Sequence, residues 1–148
     1  RSIHDALMVV KDVIETPSIV AGGGSPEAYL SSQLKEWADT FDGREQLAIK
    51  QYAESLESIP LTIAENAGMD PIDTIISLRA KQANGKKSIG INAKEGKIGD
   101  MYSLDIVEPL VVKEQIIKSA TETACMILRI DDVISISGGS AGPGGPMG

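Results

Sequence analysis

The sequence holds one cysteine, Cys125, and one histidine, His4. A single cysteine excludes an internal disulfide framework. A histidine without cysteine or histidine partners argues against a zinc site. Aromatics make up only 3%, so the core falls to Ile, Leu, Val, Ala and Met. Basic residues are outnumbered, 14 against 21 acidic, for a formal charge of −7. That balance lacks the clustered positive footprint that nucleic acid requires. No apolar run approaches the roughly 20 residues that span a bilayer, and no signal peptide is legible. Neither nucleic acid nor membrane is therefore expected as a partner, and a reducing, cytoplasmic setting fits. Cys125 sits in an apolar helical pattern and reads as a buried, inert thiol.

What is present is ordinary for a globular chain: 148 residues, 42% hydrophobic and 24% charged, enough for one domain with a core. Ile3, Ala6, Leu7, Val10, Val13 and Ile14 recur at helical spacing and predict a helix over 2–15. Thr16-Pro17 ends it. Ser25 followed by Pro26 reads as a cap and first turn, with Leu30, Leu34, Trp37, Ala38 and Phe41 as the inward stripe. Asp42-Gly43 breaks that helix. A third helix buries Ala48, Ile49, Tyr52, Ala53 and Leu56, and a shorter one runs from Pro60 to a stop at Gly68. Asp70-Pro71 repeats the cap, and Asn84-Gly85 stops the next helix. "SIGINAKEGKIGDM" (88–101) reads as a β-hairpin, and 101–109 as an irregular connection. A long helix follows from Val112 to Leu128. Asp131-Asp132 is expected to separate it from "VISIS" (133–137), a terminal strand. "GGSAGPGGPMG" (138–148) cannot bury apolar surface and is expected to be a disordered tail. The fold class is mainly α: six helices, a small hairpin and a C-terminal strand in one domain, 1–137. The chain opens at Arg1 directly in a helical pattern, as a piece of a longer protein would.

Four features could carry chemistry. "VAGGGSPEAY" (20–29) places three glycines before a helix start. They fit a turn needing positive φ equally with a ligand site where free N–H groups gather. No lysine follows them, so the Walker spacing fails, and Glu27 in the first turn would repel a phosphate. A nucleotide here would present its base or ribose. In "DIVEP" (105–109), an acid before proline can accept hydrogen bonds from a diol, as acidic residues hold ribose in dinucleotide folds; alone, Glu108 reads as a solvated loop carboxylate. Asp5 near a helix start reads as dipole stabilisation. Asp131 and Asp132 read as a solvated break.

Several blocks taken together resemble a known family. "SIHDAL", "VAGGGSPE", "REQLAIKQYAESLESIPLTIAENAGMDPIDTI", "VEPLVVKEQIIKSATETACMILRIDDVI" and the Gly- and Met-containing tail are similar, in colinear order, to the C-terminal part of the equatorial ATPase domain of group II chaperonins of the archaeal thermosome type. The resemblance implies an ATP-driven protein-folding machine of two stacked rings. Its partners would be other chaperonin subunits and unfolded proteins. By the family's motifs, Asp5 would activate the attacking water. Gly22, Gly23 and Gly24 would lie against the nucleotide, Asn92 and Ala93 would complete the adenine pocket, and Glu108 would contact the ribose. ATP and Mg²⁺ are implied. The phosphate-binding loop and the metal-coordinating Asp of the family belong to its N-terminal half and have no counterpart in this sequence, so no metal ligand is assigned. The glycines would serve to keep side chains off the nucleotide, and a valine at Gly23 would then weaken ATP binding more than folding. The alternative, suggested by the lack of that phosphate-binding loop and by a pairing-prone terminal strand, is a non-catalytic helical scaffold or assembly module.

Overall fold

The computed structural model describes residues 1–15 and 17–138, with side chains through Ile130. Among the described residues, six helices and four short strands follow in the order α1 (Ser2–Glu15), β1 (Ile19–Ala21), α2 (Ser25–Ala38), α3 (Gly43–Leu56), α4 (Ser58–Asn66), α5 (Pro71–Ala83), β2 (Ile89–Asn92), β3 (Lys97–Asp100), β4 (Val107–Pro109) and α6 (Leu110–Gly138). They fall into two compact units, one ending at Leu110 and one starting at Val111.

In the first unit the core gathers Ala28, Ala64, Ile75, Leu78, Ile89 and Ile91, from α2, α4, α5 and β2. Leu78 and Ile91 are almost fully buried, and each such side chain contributes about 1.5–3 kcal/mol. The predicted Asp70-Pro71 cap acts where expected. Asp70 extends before Pro71, and its carboxylate accepts the Asp73 amide at 2.8 Å, satisfying an orphan donor of α5. β2 and β3 form the expected hairpin, pairing Ile91 with Ile98 and Asn92 with Lys97.

Four expectations are corrected. The connection 101–109 is not wholly irregular: β4 pairs antiparallel with β1, setting Ala21 opposite Val107 and Val20 opposite Glu108. Three-residue strands are too short to show alternation in a sequence. Helix α2 is capped by Gly24 at φ 71, not by Ser25; the Ser25 hydroxyl donates instead to the Lys87 carbonyl at 2.8 Å. The inward face of α2 is Ser25, Glu27, Ala28, Ser31 and Ala38, while Trp37 and Leu30 of the predicted stripe are exposed. Helix α1 forms over the expected residues yet buries none of them.

The second unit is dominated by α6, which continues as helix through Asp131-Asp132 to Gly138. The expected C-terminal strand at 133–137 is therefore helical. Two aspartates weaken helix propensity by only a fraction of a kcal/mol each, too little to end a helix already nucleated over more than twenty residues. Cys125 is exposed, against the expected buried thiol, as are Met126, Ile127, Leu128 and Ile130 around it. Of the predicted tail, residues 139–148 lie outside the described residues. Among the described residues no helix is long and apolar enough to cross a membrane.

Candidate functional site

The site grows out of the three glycines. Gly23 and Gly24 both take positive φ, 62 and 71, which reverses the chain between β1 and α2. In the direction a side chain would take, the turn meets protein. A Cβ on Gly23 would stand 2.5 Å from the Ile91 carbonyl oxygen and 2.7 Å from its nitrogen; one on Gly24 would stand 2.8 Å from Pro60 Cβ. Backbone is thus seated on backbone: the Ile91 amide donates to the Gly23 carbonyl at 2.9 Å, and the Gly22 amide to the Ile106 carbonyl at 2.9 Å. The glycines have a packing reason that the sequence did not show. At 23 and 24 the missing side chains make room for β2 and α4, so a valine at Gly23 strikes folding first.

Gly22 differs. Its φ is not positive, and a Cβ there would meet Ile106 at 3.0 Å and the Glu108 carboxylate at 3.4 Å. The β1–β4 register explains this: Glu108 is opposite Val20, so the acid before Pro109 is carried to the glycine turn. Asn92 closes the arrangement from β2, one residue beyond the Ile91 that is bonded to Gly23. It is buried, and its side-chain oxygen accepts the Glu95 amide at 3.4 Å, shaping the hairpin turn. Ala93 follows on the exposed turn. The fold therefore sets Glu108 beside Gly22 and bonds Gly23 to Ile91, the residue before Asn92 and Ala93. Asp5 stands apart from them in sequence and element. It is exposed in the first turn of α1, its amide donating to the Arg1 carbonyl at 2.9 Å.

Glu27, expected to repel a phosphate from the first turn of α2, is fully buried there. A cleft of about 620 Å³ lies beside the same turn, lined by Ala21, Ser25, Pro26, Tyr29, Lys87 and Asp100 among others. None of Gly22, Gly23, Gly24, Asn92, Ala93 and Glu108 lines it. Lys87 Nζ stands 5.4 Å from the Tyr29 ring centroid at its edge, a cation–π arrangement.

Behind the turn, α5 holds the surrounding elements with polar side chains that the sequence reading did not single out. Glu57, buried at the α4 cap, accepts from Ser31 Oγ at 2.6 Å and Lys35 Nζ at 2.9 Å, both on α2, and from Arg79 on α5. Burial pushes the Glu57 carboxyl up; the hydrogen bonds from Ser31, Lys35 and Arg79, with the Arg79 charge, outweigh it and hold the group below its ordinary value. One turn along α5, Gln82 Nε2 donates to the Ser25 carbonyl at 3.0 Å and the Ile89 carbonyl at 3.3 Å. The legible signal was spacing: Ile75, Leu78 and Gln82 share one helical face, and an amide in an apolar stripe needs partners.

With this geometry in place, comparison with known proteins gives a consistent answer. Residues 1–137 match the model of the TCP-1/cpn60 chaperonin family, and the chain belongs to that family. It is 51% identical over 145 residues to thermosome subunit 1 of Haloferax volcanii, covering 96% of this chain and 26% of that protein. It is also 51% identical over 135 residues to a thermosome subunit of Methanopyrus kandleri, covering 91% of this chain and 25% of that one. An open-state monomer of a group II chaperonin from Methanococcoides burtonii superposes with a TM-score of 0.79 at 50% identity, over 85% of this chain and 31% of that one. The fold is that of a chaperonin equatorial-domain fragment, and the chain spans about a quarter of the length of the curated relatives it matches.

Proposed function

We propose that this chain supplies the nucleoside pocket and the water-activating carboxylate of an ATP-driven group II chaperonin subunit, which assists protein folding within a double ring of such subunits. One observation carries the reading: Glu108 is delivered by strand register to Gly22, at a turn bonded to β2 one residue from Asn92. A carboxylate beside bare backbone suits a ribose diol, and the backbone of the glycine turn and of Asn92–Ala93 suits a flat base. Asp5, on a separate helix, is the group that orients water toward the γ-phosphate and accepts its proton as the oxygen–phosphorus bond forms. Magnesium, which neutralises phosphate charge in such reactions, has no donor set of three acidic, His or Cys side chains gathered among the described residues. No step through the metal is therefore derived from this chain. The scaffold alternative leaned on the lack of a phosphate-binding loop in this sequence and on a terminal strand; that segment is helical, which removes the second support only.

The test is Asp5→Ala in the complete subunit. ATP binding is expected to stay within about twofold and turnover to fall at least about 100-fold, the usual range for a lost general base. Unchanged turnover would remove Asp5 from the mechanism.

A further inference from the structure

We infer that Gln82 is a positioning residue that sets the spacing between the two walls of the nucleoside pocket, an inference that rests on the nucleotide reading above. One wall is the glycine turn at the head of α2; the other is β2, leading to Asn92. Gln82 touches both from behind. Its amide nitrogen reaches the carbonyl of Ser25, the residue after Gly24, and the carbonyl of Ile89, three residues before Asn92. Only 4% of its surface is exposed.

The placement is not what stability alone would choose. Ile75 and Leu78 on the same face of α5 are buried and apolar, so a leucine or methionine at 82 would extend the core. The amide instead leaves its own oxygen without a protein partner among the described residues, which costs stability. What it gives in return is a fixed separation of two carbonyls belonging to different elements. One further bond crosses between the same walls, Ile91 amide to Gly23 carbonyl, and the Ser25 hydroxyl donates to the Lys87 carbonyl just ahead of β2. Gln82 is hydrogen-bonded to both walls from a third element, so it couples them to the frame of α5. Arg79, one turn earlier on that helix, binds Glu57 and offers an internal control: the same helix, with no bond to either wall.

The experiment uses the complete, assembled subunit with Gln82→Met, Gln82→Asn and Arg79→Met. Methionine keeps the length and removes the donors; asparagine keeps the donors and shortens the reach. Loss of the bridge removes binding common to ground and transition states. Gln82→Met is therefore expected to raise KM for ATP about tenfold, two modest hydrogen bonds' worth, with kcat within twofold. Arg79→Met is expected to lower the thermal midpoint and leave KM unchanged. Parental KM in Gln82→Met, or an equal KM rise in Arg79→Met, overturns the inference. If the methionine variant does not assemble, Gln82→Asn is judged by the same criterion. Amide exchange across 86–92 is read in every variant. If the parent itself binds no ATP, the nucleotide reading fails. Exchange then decides the bridge alone: faster in both Gln82 variants and unchanged in Arg79→Met upholds it, and any other pattern ends it.

Discussion

Gly23 and Gly68 have nearly the same backbone conformation, φ 62 and 72, and opposite surroundings. Around Gly23, the space a side chain would take is filled by Ile91 backbone and the Met101 sulfur; around Gly68 there is nothing within 4 Å. Gly68 ends α4, its amide donating to the Glu65 carbonyl at 3.0 Å, and needs only a residue that tolerates the left-handed region. Gly23 needs that and also a bare face, because two elements meet on it. A glycine that stops a helix is a local device. A glycine at a joint carries tertiary structure, and here the joint is also the candidate site.

The largest effect should therefore come from Gly23→Ala. Overpacking against immobile backbone costs roughly 1–3 kcal/mol, and a left-handed non-glycine residue adds about 1–2 kcal/mol. A loss of about 3 kcal/mol or more is expected in the complete subunit, read as a fall in unfolding midpoint or as failure to assemble. A cost no greater than that of Gly68→Ala would erase the distinction between joint and stop.

A gentler change weakens the packing of α4 against α2 and α5 without touching a glycine or a pocket wall. Pro60, which fills the space at Gly24, lies in the first turn of α4, and Glu57 at its cap is tied to α2 and α5. Glu57→Gln leaves Lys35 and Arg79 without their charge partner. Both cations are partly exposed, so the expected cost is about 2 kcal/mol, below that of breaking a fully buried pair. The acid limb of stability should change as well. Because Glu57 titrates below its ordinary value in the folded chain, the unfolded chain takes up its proton first as pH falls. The stabilisation is complete above the ordinary value of about 4.5 and is lost as pH drops below it, through the folded value. Midpoints measured from pH 7 down to 3 should converge for parent and Glu57→Gln; a constant gap would show that the charge does not matter.

The same contrast marks what was legible in the sequence. Local devices were: the Asp70-Pro71 cap, the Asn84-Gly85 stop, the hairpin around "AKEG" and the extent of α1 each follow from a few adjacent residues. Tertiary choices were not. Nothing near Leu30 or Trp37 says that α2 turns Ser31 inward instead, because its partner Glu57, itself bonded by Arg79 of α5, lies outside that helix. Nothing in "DIVEP" alone says that it pairs with "IVA" at 19–21, since three-residue strands have no period of their own. Of the site, the residue types came from family resemblance, while the reason for Gly23 and Gly24 came only from seeing Ile91 and Pro60 against them. Gln82 lay between the two kinds: its place in the Ile75–Leu78 stripe was visible, and its two carbonyl partners were not.

The smallest effect sharpens the other side of the comparison. With open space around it, Gly68 should lose only the backbone term on substitution. Gly68→Ala is expected to cost about 1 kcal/mol, the left-handed penalty of an ordinary side chain. Gly68→Asn should cost about half as much, because asparagine enters that region more readily by bonding its own backbone. Neither should alter KM for ATP, since the α4 stop touches neither pocket wall. The order glycine, asparagine, alanine in unfolding midpoint is what a pure stop requires. If alanine instead proved as costly as at Gly23, Gly68 would have to meet a surface beyond this segment, and it too would be a joint.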